Sequence, residues 1–194
     1  MSELIKIPMF PLSIFPLPGE LVPLHIFEPR YKQLLQEAET KDIGFGIFFN
    51  HPLNEDKFGS WVKLESVIKR YPGGESDIIV KCLDLFTMET LYRTYRDKLY
   101  PGGDIHMMSV NHEPVTQIPV LERYHAFAQH MNIKSGSNAS LWQIANDLNL
   151  DFPSRLKLVS LDEVKQLTYL SGQLSYQLEL LQFAEKSKDV FHLN

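Results

Sequence analysis

The sequence predicts an α+β fold, with strands in the first part of the chain and helices in the second. Half of the twelve prolines fall between Pro8 and Pro29, where a fixed φ and missing N–H groups favour short edge strands and turns. From residue 43 to about 114, β-branched and aromatic residues recur in short runs parted by turn-forming residues. After Pro119 the apolar spacing changes to the helical period. Strands and helices segregated in this way indicate α+β rather than alternating βαβ units. Pro114 and Pro119 bracket the switch, which divides the chain into 1–117 and 118–194.

Ile5 and Ile7 alternate about Lys6 and open a first strand. Pro18-Gly19 marks a turn, and residues 20–26 a second strand. Pro29 suits the first position of a helix, and Glu28 ahead of it complements the helix dipole. Tyr31, Leu34, Leu35 and Ala38 then line one face of a short helix ending near Lys41-Asp42. Residues 43–49 are an apolar run of strand length, 50–59 a polar loop, and 61–70 a strand closed by the turn Tyr71-Pro72-Gly73-Gly74. Residues 78–82 and 86–92 read as two short strands. The same four residue types return at Tyr100-Pro101-Gly102-Gly103 with unmatched flanks, and read as an independent turn before a strand over 104–110.

In the second part, Val120, Tyr124, Phe127 and Met131 form one helical stripe with Leu121 and Ala128 beside it. A loop over 134–138 ends in helix-capping residues, and Leu141, Ile144, Ala145 and Leu148 form the next helix. Pro153 and Ser154 open a short one, and Ser160 and Glu163 have the spacing of a capping box. Leu167, Leu170, Leu174, Leu178 and Leu181 then run along a long last helix, where Gly172 is read as a place for a neighbouring helix to come close. Packing within the chain, rather than a coiled coil, is expected for that leucine face.

Composition narrows the function. With 194 residues, 44% of them hydrophobic and 22% charged, the chain can build a core and is not of disordered type. The net charge is −5. Before Gln117 there are 12 basic and 16 acidic residues, and after it 7 and 8. Neither part has the basic footprint that phosphate neutralisation needs, so no nucleic-acid partner is expected. Cys82 is the single cysteine, read as a small half-buried strand residue, which makes a reducing cytoplasm the expected compartment. The apolar leader is not expected to be an export signal, because Glu3 balances Lys6 and the prolines break the helix such signals form. No run of about 18 apolar residues suggests a membrane span.

Sites for known chemistry are scarce. There is no phosphate-binding loop, no dinucleotide fingerprint and no G-x-S-x-G elbow. His125 and His130 would stand about 140° apart around a helix, and His106 and His112 about 20 Å apart along a strand. No metal site and no cofactor are expected. His25, between Leu24 and Ile26 on a short strand, is read as a partly buried histidine held by a carbonyl, or as part of a recognition surface.

The stretch Ile7-Pro8-Met9-Phe10-Pro11-Leu12, with Phe15-Pro16, Pro18-Gly19 and Val22-Pro23-Leu24-His25-Ile26-Phe27-Glu28-Pro29-Arg30-Tyr31, closely resembles the signature of the Lon N-terminal, substrate-binding domain family, in particular its standalone bacterial type. Gly59-Ser60-Trp61-Val62, Val67-Ile68 and the helical tail around residues 144–148 are similar to the family more loosely. Cys82 and Leu85 stand where the family usually has a Gly and an Arg, while Phe86 keeps its aromatic residue. The resemblance implies a PUA-like β-barrel subdomain with a short helix over 1–117, followed by a C-terminal helical bundle over 118–194. In Lon proteases this region recruits protein substrates, while an ATPase and a Ser–Lys peptidase act on them. Neither of those is found in these residues.

The function expected is therefore a non-catalytic module that binds polypeptide segments or a partner protein through an apolar surface, with any self-association weak. Pro23, His25, Phe27, Phe86, Tyr92 and Tyr95 are the residues expected to form or border that surface. A small hydrolase with an unrecognised site, and RNA binding through the PUA-like fold, are the alternatives.

Overall fold

The computed structural model of the chain describes residues 3–136 and 138–191. Ser137, in the loop expected over 134–138, lies outside them. The elements are β1 (Leu4–Pro11), β2 (Leu21–Ile26), α1 (Pro29–Lys41), β3 (Phe45–Phe48), β4 (Phe58–Arg70), β5 (Ser76–Tyr92), β6 (Gly102–Met107), α2 (Ile118–His130), α3 (Leu141–Asp147), α4 (Phe152–Ser160) and α5 (Glu163–Phe191). They form an α+β fold and fall into two units, Met1–Asn111 with these six strands and α1, and His112–Asn194 with the other four helices.

In the first unit, β1 pairs with β3 in parallel and with β6 antiparallel. Antiparallel pairs β3–β4, β4–β5 and β5–β6 complete the circuit, so five strands pair in a closed ring. β2 lies outside that ring, antiparallel to the start of β5, from Leu21↔Lys81 to Ile26↔Ser76. β5 serves both roles because it is one continuous strand of 17 residues. The two short strands expected over 78–82 and 86–92 are thus one. Trp61 pairs with Asp84 and Val62 with Cys82, which leaves Leu83 as an extra residue that bends the strand without ending it.

The two Tyr-Pro-Gly-Gly stretches do different things. The first is the turn expected, with Gly74 at φ 84° and its amide on the Tyr71 carbonyl. The second is no turn. Tyr100 is fully buried, the Pro101 carbonyl accepts from the Met9 amide at 2.8 Å, and Gly102 and Gly103 already pair with Pro8 and Ile7. The chain reverses earlier, where the Lys98 amide donates to the Tyr95 carbonyl at 2.9 Å. The polar loop expected over 50–59 stops short of Phe58, because the Asn54 side chain both donates to the Phe58 carbonyl and accepts from its amide.

Apolar packing forms on both sides of the strands. The buried face of α1 (Tyr31, Leu34, Leu35 and Ala38) packs with Phe10, Phe45, Ile47, Val62, Ile78 and Val80. Ile7, Met9, Phe48, Phe86, Met88 and Ile105 form a second cluster, each such residue contributing about 1.5–3 kcal/mol. Cys82 is fully rather than half buried, and that burial pushes its thiol well above the usual range.

In the second unit, α2 buries Val120, Tyr124, Phe127 and Ala128, while Met131, expected on the same stripe, sits at the helix end and is exposed. Ser140 and Asp151 cap α3 and α4 through the amides of Gln143 and Ser154. The Tyr124 hydroxyl donates to Asp147 at 2.5 Å. The expected capping box at Ser160 and Glu163 does not form. Ser160 ends α4, and Asp162 accepts from the Lys165 amide instead. Leu170 and Leu174 of α5 are fully buried. Gly172 is exposed, and a Cβ added there would meet nothing within 4 Å, so it is not a point of helix approach. Among the described residues, no helix is long and apolar enough to cross a membrane.

Candidate functional site

β2, the start of β5 and the far half of β4 make a three-stranded ribbon beyond the closed ring. Side chains alternate across it. Val22, Leu24 and Ile26 face the core under α1, opposite Val80, Ile78 and Ser76. Leu21, Pro23 and His25 therefore share the other face with Lys81, Ile79 and Asp77 of β5. On β4, Ser66 and Lys69 are the partners of Ile79 and Asp77.

Exposed apolar residues gather along this ribbon. Leu21 is 55% exposed and Phe27, just beyond β2, 59%. Pro23 is exposed and Ile79 half-buried. Ile68, at the irregularity between Val67 and Lys69, is 63% exposed. In the sheet order β2 is terminal, so among the described strands its outer edge has no partner, and Pro23 removes one donor from it.

A polar cluster stands at the hairpin end of this face. His25 Nδ1 lies 2.6 Å from Asp77 Oδ1, and the Tyr71 hydroxyl donates to Asp77 Oδ2 at 2.6 Å. The Tyr71 and His25 hydrogen bonds, in that order, hold the Asp77 carboxyl below the usual range. The hydrogen bond to Asp77 raises the Tyr71 hydroxyl in turn. The Phe27 ring stacks on His25 with centroids 5.9 Å apart, Tyr71 meets His25 edge-on at 5.8 Å, and Lys69 lies over the Tyr71 ring at 4.4 Å.

Ion pairs to α1 steady the ribbon from behind. Lys32 donates to the Gly73 carbonyl and to Glu75 in the hairpin turn. Arg70 pairs with Glu39, and Lys63 with Asp42. Each exposed pair contributes no more than about 1 kcal/mol, so they fix position more than they add stability.

Of the residues singled out in the sequence, Pro23, His25 and Phe27 come together here. Phe86 does not. It is fully buried, with its ring in the space left by Gly59, where a Cβ would meet it at 2.2 Å. Tyr92 ends β5, and Tyr95 lies in the β5–β6 connection. The Tyr92 hydroxyl donates to Asp104 at 2.5 Å beneath Lys6. Tyr95 stacks on Tyr100 and covers Gly102. Tyr71, Asp77, Ile79, Leu21 and Ile68 are not among the surface residues expected from the sequence. The i, i+2, i+4 alternation of Leu21, Pro23 and His25 was the available signal for Leu21.

His25 has the acid partner of a catalytic dyad. Among the described residues its contacts are Asp77, Phe27 and Tyr71, none of them a serine, threonine or cysteine that could act as nucleophile. Among the described residues no group of three or more His, Cys, Asp or Glu side chains could hold a metal.

The model of a protein family described as the ATP-dependent protease La (LON) substrate-binding domain matches residues 6–182. Among solved structures, a Lon N-terminal domain protein from Xanthomonas campestris is similar over 89% of this chain and 98% of its own, with a TM-score of 0.66 and 20% sequence identity. The N-terminal domain of the Mycobacterium avium complex Lon protease aligns over 91% of this chain and 96% of its own, with a TM-score of 0.47 and 16% identity. No curated protein matches the sequence.

Proposed function

The chain belongs to the family of the ATP-dependent protease La (LON) substrate-binding domain, and we propose that it is a recognition module binding extended polypeptide on the outer face and free edge of the β2–β5–β4 ribbon. The observation that carries this is the row of Leu21, Pro23, Ile79 and Phe27, apolar and accessible around a fixed His25–Asp77–Tyr71 cluster. An extended segment would gain main-chain hydrogen bonds from the edge of β2 and specificity from alternate side chains on the face. Aromatic anchors within a polar rim suit such a surface. The reading is of binding rather than chemistry: among the described residues the contacts of His25 are Asp77, Phe27 and Tyr71, and the Cys82 thiol is buried.

RNA binding is the second reading with an observation in its favour, because Lys69 and Lys81 share this face with the His25 ring. A photo-crosslinking residue at Leu21 separates the readings, with another at Leu99 as control. Leu99 is 63% exposed and lies in the β5–β6 connection. An unstructured polypeptide rich in aliphatic and aromatic residues should crosslink at position 21 well above position 99. Equal yields, or capture of single-stranded RNA alone at low salt, would count against the polypeptide reading.

A further inference from the structure

A cavity of about 410 Å3 opens at the N-terminal end of α1, lined by Arg30, Leu91, Tyr92, Arg93 and Pro101. That volume lies in the range of about 300–1,000 Å3 usual for ligand pockets. Its walls divide into two kinds. Leu91, the Tyr92 ring and Pro101 are apolar, and the two arginines bring charge.

The arginines differ in how far they are satisfied. Arg30 places Nε and Nη2 on Glu28 at 2.9 and 2.8 Å, and its guanidinium lies over the Tyr31 ring. Its Nη1 has no partner among the described residues. Arg93 is exposed and has no hydrogen bond, ion pair or ring contact among them. The nearby acids are already engaged, Glu28 with Arg30, and Asp104 with Tyr92 and Lys6. The cavity is thus a locally cationic pocket with a free guanidinium in a chain of net charge −5.

We propose that this cavity binds a carboxylate of the polypeptide held by the module, with Arg93 as the principal donor, Arg30 Nη1 as a second, and Leu91, Tyr92 and Pro101 packing the aliphatic part of the same residue. The planar five-donor fork of arginine matches a carboxylate in two parallel hydrogen bonds, which a lone lysine does not. The carboxylate can come from a chain terminus or from an acidic side chain, and both present the same two oxygens. Two arginines beside Glu28 and Asp104 do not make the continuous cationic track that a nucleic-acid backbone needs. The inference rests on polypeptide being the ligand, but it concerns a site built from other residues than the ribbon.

The test uses the full chain and four probes: an unstructured apolar peptide with a free C-terminal carboxylate, the same peptide amidated, the amidated peptide carrying one internal Glu, and inorganic phosphate. Affinity is read by fluorescence anisotropy for the peptides, and the Arg93 Nε–H resonance is followed by NMR for every probe. At least one carboxylate-bearing peptide should move that resonance, and the fully amidated peptide should not. The two carboxylate arms tell terminus from side chain. Arg93→Ala should weaken the carboxylate peptide about tenfold to a hundredfold and leave the amidated one unchanged, with Arg93→Lys recovering only part. Equal binding of all three peptides, no effect of Arg93→Ala, or a response to phosphate alone would overturn the inference. If binding is independent of carboxylate yet lost in Phe27→Ser, the pocket fails and the ribbon reading stands. If no peptide binds the unaltered chain, both fail.

Discussion

The Nδ1 atom of His25 lies 2.6 Å from Oδ1 of Asp77, its direct partner across the β2–β5 pairing. Fifty-two residues apart in sequence, the two meet through the β2–β5 register, while the hairpin at Tyr71 joins β5 to β4. The same turn brings the Tyr71 hydroxyl to the other carboxylate oxygen. Histidine, aspartate and tyrosine thereby hold one another in place on a face they share with Leu21, Pro23 and Ile79 and with Lys69 and Lys81.

The cluster should show itself in the pH dependence of stability. The Asp77 carboxyl is depressed in the fold, so its contribution is complete above the ordinary carboxylate value of about 4 and is lost as pH falls through the depressed value. Asp77→Asn should therefore lower the melting temperature at pH 7, with the gap to the unaltered chain narrowing toward pH 2. Thermal unfolding across that range checks this, and a gap independent of pH would exclude the ionised carboxylate as the cause. Tyr71 should also titrate closer to its ordinary value in this variant, which absorbance near 295 nm follows.

Phe27 and Phe86 are two aromatic residues with opposite consequences. Phe27→Ala should leave stability within about 0.5 kcal/mol, as for an exposed position, and weaken polypeptide binding about tenfold or more, as for an anchor residue. Phe86→Ala should cost about 3–5 kcal/mol of stability and leave affinity unchanged in whatever fraction stays folded. Gly59→Ala should destabilise as well, because its Cβ would fall 2.2 Å from the Phe86 ring. Denaturant unfolding paired with anisotropy on each variant tests the division.

Gly172 lies within α5 with open space around it and no demand on its backbone. Gly172→Ala should raise stability by about 1 kcal/mol, or roughly 2–4 °C for a chain of this length. A loss in thermal unfolding would mean that something packs against this position.

Local signals made much of the fold legible. Pro29 at the head of α1, the face of Tyr31, Leu34, Leu35 and Ala38, and the alternation along β2 can each be read within a dozen residues. What escaped depends on residues far apart. The continuity of β5 turns on one extra residue, Leu83, which looks like a break until Trp61 and Val62 are seen to pair around it. The second Tyr-Pro-Gly-Gly stretch becomes a strand because β1 and β5 both pair with its glycines. The candidate site divides in the same way. Pro23, His25 and Phe27 were visible as one strand and its exit, whereas Tyr71 enters through the hairpin and Asp77 through the β2–β5 register. Phe86 went to the wrong side because the glycine whose absent side chain makes room for it lies twenty-seven residues earlier, at position 59.

The central claim is that polypeptide binds the outer face of the ribbon, and amide NMR tests it most directly. The 15N-labelled chain would be titrated with an unstructured polypeptide rich in aliphatic and aromatic residues. The largest shifts are expected at residues 21–27 and 77–81, and they should vanish in Phe27→Ser. Shifts confined to His112–Asn194, or no shifts at millimolar polypeptide, would contradict it.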